Sequence, residues 1–130
     1  MAYYLDTSAL VKLVVDEGET AALREWWRSH GTTPVSCDLA RTELMRAVRR
    51  AAPEAAVQVH AVLDALVLVS VTARVFDAAG RLEPTTLRSL DAIHLAAALE
   101  LGDDLEGIVT YDERLAEAAT SYGVPVVAPA

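Results

Sequence analysis

The sequence is short of cysteine and of long apolar runs, and each shortage argues against a class of protein. Among its 130 residues there is one cysteine, Cys37, so an internal disulfide is excluded and no second thiol is available to share a zinc ion. No apolar stretch reaches the roughly 18 uninterrupted residues of a membrane span, and the first residues lack a basic segment followed by a cleavable apolar one. We therefore expect a cytoplasmic protein without membrane association.

Basic residues are also scarce, and the formal net charge is -8. Lys12 is the only lysine of the chain. Proteins that bind nucleic acids usually carry a basic footprint, which this chain lacks as a whole. A bound metal ion would reduce the acidic excess without removing it, so binding to a nucleic acid would require a local arginine patch or a partner protein.

The remaining composition is typical of one folded domain. Hydrophobic residues make up 53% of the chain, which is enough to form a core at this length. Proline, glycine and serine are scattered, no internal repeat is visible, and no run of charged residues marks a linker. We expect residues 1–130 to form a single domain.

Hydrophobic periodicity predicts strands that alternate with helices. The predicted strands cover residues 2–5, 33–36, 67–71, 107–111 and 124–127. The predicted helices cover residues 7–15, 18–30, 38–52, 53–66, 72–82, 89–101 and 113–122, with Asp38 as the N-cap of the third. This alternation predicts an α/β fold with a parallel sheet covered on both faces, in which ligands bind beyond the carboxyl ends of the strands.

Four carboxylates are candidates for a site at that edge of the sheet. Asp6 and Asp112 each directly follow a predicted apolar strand. Asp91 lies in a helix that is apolar almost all round, where an unpaired carboxylate is costly unless a cation, strong donors or a helix N-terminus faces it. Glu43 falls at the edge of the apolar arc of its helix and therefore borders the core.

Each acid also has a purely structural interpretation. Asp6 and Asp112 could cap the helices that follow them, and Asp91 could be stabilised by the N-terminus of its own helix. Glu43 could form a surface ion pair with the arginine three residues further on. A hydrogen-bonded structural role suits His94 better than a ligand role, because hard cations prefer oxygen ligands.

Three other residues are candidates for contacts with a substrate. Ser8 could hold Asp6 or a phosphate group. Arg46 and Arg50 lie on the same side of their predicted helix as Glu43, so their guanidinium groups could reach phosphates next to a metal ion.

Four sequence blocks carry these residues: YYLDTSALVKL, SCDLARTELMRAVRR, LRSLDAIHLAAAL, and IVTYDERLAEAA with GVPVV. In this order, and over essentially the whole chain, they resemble the PIN-domain ribonucleases and within them the VapC toxins of bacterial toxin-antitoxin modules. The resemblance implies that the four acidic positions of the family are filled by Asp6, Glu43, Asp91 and Asp112. It also implies that Ser8 matches the small hydroxyl position.

The resemblance further implies a PIN-like three-layer α/β/α sandwich with a central five-stranded parallel sheet, a homodimer, and inhibition by a cognate antitoxin. Clustered carboxylates repel one another unless cations lie between them, so the site is expected to hold Mg²⁺ or Mn²⁺. Such a cation can activate water and offset charge on a leaving oxygen. The expected function is that of a metal-dependent endoribonuclease, the toxin of a type II toxin-antitoxin system.

Three other functions compete with this interpretation. A haloacid-dehalogenase-like phosphatase needs a second aspartate two residues after the first, where this chain has Ser8. A phosphoacceptor receiver domain needs a lysine on a late strand, but Lys12 lies on the first predicted helix. The alternative that remains open is a catalytically silent PIN-like scaffold that binds RNA or a partner.

Overall fold

The computed structural model describes the whole chain and contains one five-stranded parallel sheet between two layers of helices. The strands are β1 (Ala2–Leu5), β2 (Thr33–Cys37), β3 (Val67–Val69), β4 (Leu105–Val109) and β5 (Val126–Val127). The helices are α1 (Thr7–Val14), α2 (Thr20–His30), α3 (Leu39–Ala51), α4 (Val59–Asp64), α5 (Ala73–Gly80), α6 (Ser89–Leu99) and α7 (Glu113–Ser121), with 3₁₀ helices at Pro53–Gln58 and Gly102–Asp104. The predicted α/β fold with five parallel strands is confirmed. None of these helices has the length and apolar character needed to cross a membrane.

The order of the strands in the sheet is β3-β2-β1-β4-β5. From β1 the chain moves outward through β2 to β3 and then returns to form β4 on the other side of β1. In open parallel sheets, the crevice at such a reversal of strand order is the usual position of a ligand site. Asp6 lies there because it is the residue that follows β1.

Alternation of side chains along β1 divides the core into two parts. Tyr4 packs with residues of α5, α6 and α7, whereas Leu5 packs with residues of α1, α2, α3 and α4. Both side chains are completely buried. Successive residues of a strand point to opposite faces, so a central strand between two helical layers must be apolar on both faces.

The middle of helix α6 is enclosed, as its apolar sequence predicted, whereas Leu90 in its first turn is 48% exposed. His94, Leu95, Ala96, Ala97 and Ala98 are each no more than 3% exposed. Its small alanine side chains permit close packing between the sheet and the neighbouring helices. Because the body of α6 is fixed in this way, the position of Asp91 in its first turn is fixed as well.

The predicted strand 107–111 differs from the observed β4, which begins and ends two residues earlier. The backbone N–H of Tyr111 donates to the hydroxyl of Ser8 at 2.9 Å and is therefore not used for pairing with a neighbouring strand. Asp112 consequently lies three residues beyond β4 and does not follow the strand directly, which corrects the sequence-based prediction.

Other boundaries also differ. The predicted helix 53–66 is a 3₁₀ helix followed by α4, and 3₁₀ turns are common where helices begin. Asp38 precedes α3 as predicted, but its side chain makes no capping bond, because its backbone is already helical (φ -60°, ψ -20°). The Asp38 carboxylate instead accepts from Nε of Arg41 at 3.1 Å. The predicted strands 67–71 and 124–127 are shorter in the structure, as β3 and β5.

Candidate active site

Asp6 is held by three hydrogen-bond donors at the start of α1. Its Oδ1 accepts from the Ser8 hydroxyl at 2.7 Å and from the backbone N–H of Ala9 at 3.1 Å, and its Oδ2 accepts from the Thr110 hydroxyl at 2.7 Å. Asp6 therefore caps α1 as well as lying at the end of β1. Burial raises the pKa of Asp6, which is 3% exposed, and the hydrogen bonds offset only part of this effect. The Ser8 hydroxyl, predicted to hold Asp6 or a phosphate, donates its hydrogen bond to Asp6.

Glu43 is held by two donors that both bind its Oε1. The Thr7 hydroxyl donates at 2.9 Å and Nε2 of His94 donates at 2.6 Å. Partial burial opposes ionisation of Glu43, but the hydrogen bond and the charge of His94 outweigh it and lower the pKa. The surface pair between Glu43 and Arg46 is not formed. We call Asp6 and Glu43 the hydroxyl-bound pair.

His94 connects Glu43 to the core between the sheet and α6. It is 1% exposed, and its Nδ1 lies 2.7 Å from the hydroxyl of Tyr4. Burial opposes protonation of His94, but hydrogen bonds with Cys37 and Glu43 outweigh this and raise its pKa to about 10. These contacts fit the structural role that the sequence favoured, and they additionally fix the position of the Glu43 carboxylate.

Asp91 and Asp112 share one arginine, and we call them the arginine-bound pair. Nε of Arg88 lies 3.2 Å from Oδ2 of Asp91, and its Nη2 lies 3.2 Å from Oδ2 of Asp112. Oδ1 of Asp112 accepts from the backbone N–H of Leu115 at 2.9 Å, so Asp112 also caps α7. Partial burial and the charge of Asp112 raise the pKa of Asp91, and Arg88 offsets only part of this increase.

Thr110 joins the two pairs. This residue directly follows β4 and is 1% exposed. Its hydroxyl donates to Asp6 and accepts from the backbone N–H of Asp112 at 3.1 Å. One side chain therefore links carboxylate-bearing segments from the two ends of the chain at the same edge of the sheet, where the strand order reverses.

Arg46 and Arg50 do not contact any of the four carboxylates. Both are exposed and line a surface cleft of about 340 Å³. Glu43 and Asp91 line a different cleft, of about 270 Å³, together with Arg88. Arg88 is the only arginine or lysine that forms an ion pair with the four acids.

Sequence reasoning missed Arg88, Thr7 and Thr110 as parts of the site. Arg88 precedes Asp91 by three residues, a spacing at which charged side chains pair near a helix start, and this signal could have identified it. Thr110 lies two residues before Asp112, where a short hydroxyl can bond to local backbone. Thr7 gives no comparable local signal, because the carboxylate that it binds lies on another helix.

The donor set suits a hard divalent cation. Carboxylate and hydroxyl oxygens are the ligands that such cations prefer, and the guanidinium of Arg88 stands in for a cation between the arginine-bound pair. In this structure no three side chains of aspartate, glutamate, histidine or cysteine converge closely enough to hold a metal ion. Binding of one metal ion by three of these side chains would therefore require at least some of them to move.

Three comparisons relate the chain to known proteins. A profile of the PIN domain matches residues 3–120. Ribonuclease VapC46 of Mycobacterium tuberculosis is 48% identical over 98% of both chains, and Ribonuclease VapC47 of the same species is 41% identical over 97% of this chain and 96% of that protein. The crystal structure of VapC20 of M. tuberculosis, a toxin that cleaves the sarcin-ricin loop, has the same fold, with a TM-score of 0.79 over 98% of this chain and 99% of that chain at 18% identity. The chain belongs to the PIN-domain family, among the VapC ribonucleases.

Proposed function

We propose that the protein is a metal-dependent endoribonuclease and the toxin of a type II toxin-antitoxin system, acting in the cytoplasm. The observation that carries the proposal is a hydrogen-bonded site built from four carboxylates at the reversal of strand order. The chain that carries this site is 41 to 48% identical to proteins named ribonucleases. Together these observations favour hydrolysis of RNA over binding alone.

We infer that Asp6, Asp91 and Asp112 are ligands of Mg²⁺ or Mn²⁺, and that Glu43 is a ligand through water or for a second ion. When bound, such a cation would activate water and offset the charge that develops on the phosphodiester. Because water attacks and the 2′-hydroxyl is not needed, cleavage should leave a 5′-phosphate and a 3′-hydroxyl.

The chain's own residues prepare these carboxylates for that chemistry. The donors around Asp6 fix both of its oxygens, so its orientation needs little change when a ligand arrives. His94 and Thr7 both bind Oε1 of Glu43, and Oε2 makes no hydrogen bond to the protein. That oxygen is therefore available to accept a proton from water or to face an ion.

Arg46 and Arg50 are proposed to hold RNA phosphates beside the carboxylates. The ion pairs of the chain involve other arginines, so the charges of Arg46 and Arg50 are available to a polyanion. Ser8 is the third proposed contact on the substrate side. Its hydrogen bond to Asp6 favours a supporting role for that carboxylate over direct binding of a phosphate.

A cognate antitoxin is proposed as the inhibitor, and a homodimer as the assembly of the toxin. A concave acidic site attracts cations, and guanidinium matches carboxylates in a bidentate way. Arg88 provides an example within this chain of a guanidinium between two of these carboxylates. An arginine or lysine inserted by the antitoxin would therefore compete with metal.

The enzymatic proposal is tested by incubating purified protein with RNA in Mg²⁺, in Mn²⁺ and in a chelator. Cleavage is expected with either metal, none is expected with the chelator or with Asp6→Asn, and the new 5′ ends should carry phosphate. Binding of RNA without metal-dependent cleavage would instead support the silent scaffold.

The toxin proposal needs a separate test in growing bacteria. Expression of the chain alone should arrest growth, and Asp6→Asn should not. Co-expression with the product of the adjacent small open reading frame should restore growth. A chain that is harmless at soluble, metal-loaded levels would contradict the toxin role and leave the nuclease role standing.

A further inference from the structure

Arg88 is placed where a cation would lie between two metal ligands. Its Nε and Nη2 lie 3.2 Å from Oδ2 of Asp91 and Oδ2 of Asp112 respectively, so one guanidinium bridges both carboxylates. The planar fork of arginine supports this geometry, which the point charge of lysine does not reproduce. No other lysine or arginine forms an ion pair with these two acids.

The Arg88 side chain is held loosely enough for another cation to replace it. It is 67% exposed, whereas the side chains of Asp91 and Asp112 are 15% and 23% exposed. Arg88 precedes α6 with an extended backbone (φ -65°, ψ 149°) and makes no capping bond with its side chain. The guanidinium can therefore leave by rotation of its own side-chain bonds, and exposed ion pairs of this kind are weak.

A single positive charge does not balance the arginine-bound pair. Two partly buried carboxylates carry two negative charges, and Arg88 supplies one positive charge. A divalent cation would balance both charges, but it would need the same oxygens that Arg88 now binds.

On the basis of the metal site proposed above, we propose that Arg88 is the resident counter-ion of the metal-free site and that the divalent cation displaces it. Arg88 then weakens metal binding, and metal binding frees Arg88, because coupling between two binding equilibria acts equally in both directions. The chain thereby limits repulsion between Asp91 and Asp112 when no metal is bound. It also holds a guanidinium ready for release beside the site when metal arrives.

Calorimetric titration of the full, metal-stripped chain with Mn²⁺ tests this exchange. Arg88→Gln should bind Mn²⁺ about three- to tenfold more tightly than the unchanged chain, the range expected when one or two exposed ion pairs no longer compete. The same variant should melt at a lower temperature without metal, and saturating Mn²⁺ should remove that difference. The Mn²⁺ affinity of Arg88→Lys should lie between those of the unchanged chain and of Arg88→Gln, because lysine keeps the charge but lacks the planar fork of arginine.

Arg74→Gln is the matched control. Arg74 pairs with Glu100 at 3.2 Å near the opposite end of α6, roughly 14 Å along the helix from Asp91. The control removes the same charge and one exposed ion pair, but beyond the range of unscreened interaction with the carboxylates. Its Mn²⁺ affinity should therefore match that of the unchanged chain.

Three results would overturn the inference. Equal or weaker Mn²⁺ binding by Arg88→Gln would show that Arg88 does not compete with metal. An equal gain in Arg74→Gln would assign the effect to net charge. If the unchanged chain bound no Mn²⁺, the proposed metal site would fail together with this inference. If the chain bound Mn²⁺ and Arg88→Gln did not change the affinity, only this inference would be rejected.

Discussion

Asp6 and Glu43 are held entirely by groups fixed in the fold, whereas Asp91 and Asp112 share one exposed arginine and only Asp112 has a further bond, as the cap of α7. The hydroxyl-bound pair receives hydrogen bonds from three hydroxyls, a backbone N–H and a buried histidine. The arginine-bound pair shares a guanidinium whose side chain is mostly in solvent. Its two carboxylates lie at the starts of α6 and α7, on the other side of the sheet from α1 and α3.

This difference explains how an acidic site can exist in a stable protein before metal binds. Four fixed and unneutralised carboxylates would repel one another strongly. In this chain one pair is stabilised by preorganised donors that need not move, and the other by a counter-ion that can leave. Substitutions within each pair therefore have different expected effects on activity and on metal-free stability.

Asp6→Asn should have the largest effect on activity. Loss of a group that merely supports a metal ligand costs about 10- to 100-fold, so loss of a ligand should reduce cleavage at least about 100-fold. Metal-free stability should stay the same or rise, because asparagine retains an oxygen for capping and removes a buried charge whose pKa is raised. Cleavage assays and thermal melting check both results, with the exposed Asp64→Asn as control. A large loss of metal-free stability would indicate that Asp6 serves mainly as a cap.

His94→Ala tests whether the buried histidine positions Glu43. The change leaves a cavity and removes the partner of Glu43 and of Tyr4, so unfolding free energy should fall by about 2–4 kcal/mol. Cleavage should fall about 10- to 100-fold even at temperatures where the variant is folded. His94→Gln can still donate toward Glu43 and should recover part of the activity. The exposed His60→Ala should be neutral in both assays. A purely structural role predicts full activity of every folded His94 variant.

Thr110→Val breaks the link between the two pairs. It removes the donor to Asp6 and the acceptor for the Asp112 N–H while preserving side-chain shape. We expect a stability loss of about 1–3 kcal/mol from unpaired buried groups and roughly tenfold slower cleavage. Denaturant unfolding and initial rates measure the two effects. Thr120→Val is the matched control, because its exposed hydroxyl bonds only to a helix carbonyl. Equal unfolding free energies and equal cleavage rates for the two variants would show that the Thr110 hydroxyl contributes nothing to the site.

Joint replacement of Arg46 and Arg50 by Gln should have the smallest effect, because these arginines lie outside both pairs. In an Asp6→Asn background that does not cleave, RNA binding should weaken, and the slope of log K against log salt should fall by about 1.4, or about 0.7 for each phosphate that is no longer bound. Joint replacement of Arg28 and Arg74, which are paired with Glu25 and Glu100, removes the same charge and should leave the slope nearly unchanged. An unchanged slope in the Arg46 and Arg50 variant would indicate that RNA binds at a different surface of the protein.

Local sequence predicted the elements and the placement of single residues within them. Apolar periodicity identified each strand and most helices, because the spacing of buried positions is a property of a short segment. The position of Asp6 at the end of β1 and the burial of α6 followed in the same way. Capping by Asp6 and Asp112 was also predictable, since each bonds to an N–H three residues further on.

Only the tertiary structure decided the long-range partners of the carboxylates. Asp6 and Thr110 are 104 residues apart, and Glu43 and His94 are 51 apart, so no local pattern links them. Their meeting depends on the strand order, which brings β4 beside β1 and sets α6 against the same edge of the sheet. The sequence emphasised Arg46 and Arg50 near Glu43. The spacing between Arg88 and Asp91 is local, but the second ion pair of Arg88, with Asp112, joins residues 24 apart and depends on the fold. Periodicity fixes which face of an element is buried, but long-range packing selects the partners at its ends.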